Sequence, residues 1–199
     1  GHTLVQCVTY SGHSPFIIPE ESKRISFSDK LPERLRNYMV VANYTDYAIG
    51  QFITFLRSQK KFENTMIVIT GDHEGFGLTR KPLYEHALGK DIISPERFTP
   101  LIVLNSPVHL RYEKVMGQVD LYPTLLDLLG ADDYPWRGLG ESILSSGKKA
   151  FAISPQMEII GDTVGVSTAE IQHAKDAWRV SDLIISCDYF AHGRTGDKK

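Results

Sequence analysis

The stretch MIVITGDHEGFG, Met66–Gly77, decides the reading of the fold. Met66–Thr70 is an unbroken apolar run, too short for a helical core and rich in β-branched residues, so it predicts a strand covered on both faces. The run stops abruptly at Gly71-Asp72-His73-Glu74. A carboxylate and an imidazole at the carboxyl end of such a strand stand where open α/β sheets gather their ligands. The pair suits a borderline divalent ion such as zinc or manganese, and Gly71 permits the tight exit that turns two consecutive side chains into one site. Two ligands do not complete a metal centre, which takes about four. Taken alone, the dipeptide fits a polar turn as well as a metal site.

Working outward, Arg34–Phe55 has helical periodicity, with Tyr44, Ala48, Phe52 and Phe55 on one stripe and Asn43, Gln51 and Arg57 turned to water. A helix, a short turn at Lys60–Thr65 and an apolar strand make half of a βαβ unit. Further apolar runs at Thr3–Tyr10, Pro100–Pro107, Ala150–Ile153 and Val180–Cys187 predict more strands. Asp120–Leu129 predicts a helix, with Asp120 as its cap, Pro123 in its first turn, Gly130 as its stop and Leu121, Leu125, Leu128 and Leu129 buried. Pro19–Pro32 is a polar loop, and Pro82–Leu88 suits a short helix. These elements predict an α/β fold, a three-layer sandwich with a mostly parallel sheet, as one domain over residues 1–199.

At 199 residues with 42% hydrophobic side chains, the chain can build a core and is not disordered. Its 22 Lys and Arg nearly balance its 24 Asp and Glu, which argues against a nucleic-acid surface. Cys7 and Cys187 lie in apolar surroundings and read as small buried hydrophobes rather than a disulfide. No apolar run has the length of about 20 residues that a spanning helix needs. A strand beginning at Thr3, with no initiating Met, reads as a chain that opens inside a longer domain.

His13, in the turn after Thr3–Tyr10, repeats the strand-end geometry and could meet a substrate phosphate or supply a proton. Glu74, Arg80, Lys81 and His86 are further polar candidates near the end of Met66–Thr70, with Arg80 and Lys81 suited to an anion. His173 and His192 read as surface residues. No phosphate-binding glycine loop, dinucleotide fingerprint or serine-hydrolase elbow occurs.

VTYSGHSPF (Val8–Phe16), YTDYAIGQFITFLRSQKKFENTMIVITGDHEG (Tyr44–Gly75), TPLIVLNSP (Thr99–Pro107) and GQVDLYPTLLDLLG (Gly117–Gly130) follow one another in a familiar order. They resemble the carboxyl-terminal part of a sulfatase-like catalytic domain of the alkaline phosphatase superfamily. The similarity is strongest over residues 4–153 and points to the lipoteichoic acid synthase branch, the phosphoglycerol transferases. The resemblance implies a truncated alkaline phosphatase-like fold and a membrane-anchored parent whose catalytic domain is extracytoplasmic, periplasmic or extracellular.

It further implies cleavage of a glycerophospholipid phosphodiester through a phosphothreonine intermediate, with a divalent metal: manganese first, then zinc, calcium or magnesium. Asp72 and His73 match two metal ligands of that family, and His13 matches the histidine near the substrate phosphate, with Arg80 and His86 as further substrate-binding candidates. The family's nucleophile and remaining acidic ligand fall before the matched segments, and neither Thr70 nor Thr79 stands in the nucleophile's context. The expectation is a fragment with weak metal occupancy and little turnover of its own, its exposed edge covered by self-association, as in a dimer. A sulfatase or phosphatase proper, acting on sulfate or phosphate esters, is the rival enzyme. A non-catalytic domain that binds an anionic glycan or envelope polymer is the rival outside enzymes. Residues 154–199 suit a family-specific cap or a return strand and helix.

Overall fold

The computed structural model describes residues 3–73, 98–131, 133–135 and 138–192. It divides into two units, Gly1–Asn105 and Ser106–Lys199. The expected helix at Pro82–Leu88 lies outside the described residues.

The first unit is built on helix α1, Glu33–Arg57. Val40 and Val41 of α1 pack with Phe16 and Ile18 from the loop before it, and Tyr38 and Tyr44 flank them. Phe16 meets Tyr38 edge-on at 5.3 Å between ring centroids, a geometry aromatic pairs favour. Leu35 is also buried, and Arg36 pairs with Asp29 across the entry to the helix. The expected stripe of α1 is therefore met in part, with Tyr44 packed on this core. Ala48, Phe52 and Phe55 are exposed, whereas Ile49, Ile53 and Leu56 are half-buried. Val41 and Tyr44 share the expected stripe and meet Phe16 and Ile18 of the loop, whereas nearer the end of the helix a second apolar stripe is the more covered.

Strand β1, Ile67–Thr70, pairs with β2, Leu101–Leu104, in register from Ile67 opposite Leu104 to Thr70 opposite Leu101. The pairing is antiparallel, which corrects the expectation of parallel neighbours. A run of β-branched residues reports coverage of a strand, but the connection sets its direction, and the long segment between these strands suits a return as well as a crossover. Asn105 closes the pair by donating from Nδ2 to the carbonyls of Phe62 and Thr65, each at 2.9 Å. Its backbone is left-handed, φ 55°, a conformation Asn tolerates.

Thr3–Tyr10 forms no strand among the described residues: it has no regular secondary structure and is exposed, with Leu4 at 95%. Its β-forming side chains express a preference for a pleated, half-covered surface. No described strand supplies that surface. Cys7 lies in this stretch and is exposed, and so is Cys187, against the expectation of buried thiols.

In the second unit, a 3-10 turn at Gln118–Asp120 leads into helix α2, Leu121–Leu128. Asp120 is buried and acts as the hub, but not as a side-chain cap of α2. Its Oδ2 accepts from the Gly117 amide at 2.8 Å and from Lys148 Nζ at 3.1 Å, while Oδ1 accepts from the Glu141 amide at 2.9 Å. Thr124, equally buried, donates to the Asp120 carbonyl at 2.7 Å and accepts from the Ile143 amide at 3.1 Å. These bonds tie the start of α2 to the loop at residues 141–148. Burial, then the charges of Asp120 and Glu141, hold the Tyr112 phenol above its usual pKa. Pro123 and Thr124 are the buried residues of α2, and Leu129 is exposed. Gly130, at φ 66°, ends the helix as the sequence predicts.

Strands β3, Phe151–Ile153, and β4, Ile159–Gly161, make a second antiparallel pair. Helix α3, Thr168–Ser186, then packs on β3, where Trp178 Nε1 donates to the Ile153 carbonyl at 3.2 Å. A short helix α4, Tyr189–His192, follows. The expected strand at Val180–Cys187 is thus the end of a helix. Its start signal is Ser167-Thr-Ala-Glu170, a capping box in which Ser167 Oγ accepts from the Glu170 amide and Glu170 accepts from the Ser167 amide. The mixed helix and strand content agrees with the expected α/β class, while among the described residues the strands form two antiparallel pairs rather than the mostly parallel sheet of a three-layer sandwich.

The capping box makes α3 sensitive to acid. The Ser167 amide, then its hydroxyl, hold the Glu170 carboxyl below its ordinary value of 4.5. A carboxylate with a depressed folded pKa stabilises above the unfolded value, and that contribution is lost as pH falls through the folded one. Protection of the α3 amides, relative to their intrinsic exchange at each pH, should therefore fall below pH 4.5 in the native chain and lose this dependence in Glu170→Gln. An identical acid profile in both would contradict it.

Candidate metal and anion sites

Asp72 and His73 leave β1 through Gly71, whose Cα side lies against Thr99: a side chain there would put its first carbon 3.3 Å from Thr99 Cβ and Cγ2. The glycine allows close approach of the two chain segments. Asp72 Oδ1 accepts from the His73 amide at 3.0 Å, and Asp72 Oδ2 lies 3.6 Å from His73 Nε2. Both side chains are largely exposed, at 89% for Asp72 and 69% for His73. Two donors sharing a tetrahedral ion with bonds of about 2.1 Å lie roughly 3.4 Å apart. The donor pair therefore fits a common divalent ion with little adjustment. Among the described residues no cluster of three His, Cys, Asp or Glu surrounds a common point.

His13 sits in the turn between Tyr10 and Phe16, where its amide donates to the Tyr10 carbonyl and its own carbonyl accepts from the Phe16 amide, both at 3.0 Å. The imidazole stacks on Tyr10 at 6.0 Å between centroids and places Nδ1 2.7 Å from the Ser14 carbonyl. A carbonyl only accepts, so Nδ1 is the donor in this contact and Nε2 is left for other partners. Arg34, from the first turn of α1, reaches Ser14 Oγ at 3.5 Å and lies 5.4 Å over the Phe16 ring. The turn is thus held against α1 from two sides. His13 lines a cleft of about 220 Å³ with Tyr10, Ser11, Ser14 and Tyr44.

The structure brings Asp72 and His73 together and places His13 in a cleft whose described lining includes neither of them. Arg80 and His86, like Glu74 and Lys81, lie outside the described residues. His173 is exposed on α3, as expected. Sequence reasoning missed Tyr10, Arg34 and Tyr44 as companions of His13. Tyr44 was assigned to a core stripe, and neither its ring nor the Arg34 guanidinium has a local motif; only the packing of the turn onto α1 collects them.

The profile of the Sulfatase family matches residues 2–131. The chain is 32% identical over 155 residues to "Lipoteichoic acid synthase-like YvgJ" of Bacillus subtilis (strain 168), which covers 73% of this chain and 25% of that protein. It is 30% identical over 146 residues to "Lipoteichoic acid synthase" of Staphylococcus aureus (strain USA300), covering 70% of this chain and 22% of that protein. The matched part spans about a quarter of the length of these relatives. Both the Asp72-His73 strand end and the His13 turn fall within the family match, and the chain belongs to the sulfatase family.

Proposed function

We propose that the chain is the metal-binding, carboxyl-terminal portion of the catalytic domain of a phosphoglycerol transferase that acts on glycerophospholipid or anionic glycan of the cell envelope. The observation that carries this reading is the Asp72–His73 donor pair at the end of β1, 3.6 Å apart, in a chain whose relatives include proteins named lipoteichoic acid synthases. Asp72 Oδ2 and His73 Nε2 would hold a divalent cation, manganese first among the candidates. When bound, such an ion supplies charge to phosphoryl oxygens and acidity to a nucleophilic hydroxyl.

The rest of the proposal concerns the chain's own groups. With Nδ1 bound to the Ser14 carbonyl, His13 Nε2 accepts from a substrate hydroxyl and, once protonated, donates to a phosphate oxygen. The Tyr10 ring and the Ser14 carbonyl fix the imidazole before substrate arrives. On this reading the nucleophile comes from outside these 199 residues, and the longer protein is membrane-anchored with this domain extracytoplasmic. No helix among the described residues is itself long and apolar enough to cross a membrane. The family match equally supports a second reading, ester hydrolysis by a sulfatase or phosphatase. A threonine at the nucleophile position of the longer protein favours transfer of phosphoglycerol, and a cysteine favours sulfate ester hydrolysis.

The purified 199-residue chain, given manganese and phosphatidylglycerol vesicles, should release glycerol phosphate at no more than background rate. A robust rate that disappears in Asp72→Ala would contradict the incomplete site. Leu4, Val5 and Val8 near the amino terminus are strongly exposed, and on the same reading they are covered by self-association of the isolated chain.

A further inference from the structure

Asp72 and His73 meet because β1 stops before them. Consecutive side chains of a strand point to opposite faces, whereas Asp72 Oδ2 and His73 Nε2 lie 3.6 Å apart. The chain leaves strand geometry after Thr70 and bends at Asp72 and His73. The ladder with β2 ends at Thr70 opposite Leu101, and the same register puts Gly71 opposite Pro100 and Asp72 opposite Thr99. Pro100 has no amide hydrogen with which to carry the ladder further. Thr99, half-buried, lies over the bare face of Gly71: a β-carbon there would meet Thr99 Cβ and Cγ2 at 3.3 Å and Pro100 Cδ at 3.7 Å. The two Thr99 contacts are closer than ordinary van der Waals packing, and a β-branched side chain has little freedom to turn away. Gly71 does not take a left-handed φ. Its lack of a side chain therefore serves the approach of Thr99 rather than the backbone.

We propose that Thr99 is a positioning residue for the Asp72–His73 pair: its side chain, seated on Gly71, sets the bend that brings the two donors to one divalent ion. The role rests on the metal reading above; the contact with Gly71 does not. Both donors are largely exposed, so the exit of the backbone, more than packing around the side chains, fixes where they point. Thr99 acts by the shape of its β-carbon and methyl group, and its hydroxyl is not a ligand.

The test is manganese binding by the whole 199-residue chain, followed by electron paramagnetic resonance, with the amide NMR spectrum of each variant as the check on its fold. Thr99→Val keeps the branched shape and should bind the ion as the native chain does. Thr99→Gly empties the contact, and Gly71→Ala crowds it; each should weaken binding about tenfold, the lower end of what losing a group that orients a metal ligand costs. Gly71→Ala combined with Thr99→Gly moves the bulk from one segment to the other, and should bind more tightly than Gly71→Ala alone. Weak binding by Thr99→Val would make the hydroxyl a ligand and overturn the packing role. Native affinity in both single variants Thr99→Gly and Gly71→Ala, or losses that add in the double variant, would overturn the positioning role while leaving the metal reading standing. A native chain that binds no manganese would overturn both.

Discussion

Asp120→Ala is expected to lower the unfolding free energy of the Ser106–Lys199 unit by about 3–5 kcal/mol, the cost of breaking a buried ion pair from one side. The reason is the loss of several partners at once. The carboxylate accepts from the Gly117 and Glu141 amides and from Lys148, and its side chain and that of Lys148 are 6% and 8% exposed. Removing it leaves Lys148 Nζ its hydrogen bond to the Lys149 carbonyl at 2.9 Å, and strips two amides of their acceptors. Urea unfolding measures the loss directly. Asp120→Ala combined with Lys148→Met should recover part of it, because the second change removes the stranded charge. A single-variant loss below about 1 kcal/mol, the range of an exposed pair, would contradict the hub.

Gly140→Ala should be as damaging, at roughly 3 kcal/mol or more, by a different cause. A β-carbon at Gly140 would lie 2.0 Å from the Val119 carbonyl oxygen and 2.8 Å from the Asp120 amide nitrogen. Those are backbone atoms of the turn that positions Asp120, so relief requires moving the turn itself. Gly147→Ala is the control: its β-carbon meets the Glu141 carboxylate oxygen at 3.3 Å, the end of a flexible side chain. It should cost less than about 1 kcal/mol. Equal stability of Gly140→Ala and the native chain would show that the loop does not pack on Val119 as described.

The elements that read well from sequence are those whose signal is local. Met66–Thr70 became β1, Asp120–Leu129 became the turn and helix ending at Gly130, and Arg34–Phe55 became α1. Misreadings came where the answer depends on a distant partner. Thr3–Tyr10 has the composition of a strand but no described strand beside it, and strand direction at β1 was set by β2, some thirty residues on. Val180–Cys187 was misread for another reason: its β-branched run hid a helix whose start is written thirteen residues earlier, at Ser167 and Glu170. Asp72, His73 and His13 stand out in the sequence as candidates because they follow apolar runs. Asp120 looked like a helix cap, and its role as a buried hub depends on Glu141 and Lys148, which no periodicity connects to it.

The central claim is that Asp72 and His73 are metal ligands, and binding of manganese by the 199-residue chain tests it most directly. Electron paramagnetic resonance reports free manganese in a titration without requiring turnover. The native chain should bind the ion saturably but more weakly than a complete four-ligand site. Asp72→Ala and His73→Ala should each abolish that binding, while His173→Ala, on the exposed face of α3, should leave it unchanged. Binding that survives both Asp72→Ala and His73→Ala, or a native chain that binds no manganese at all, would contradict the account.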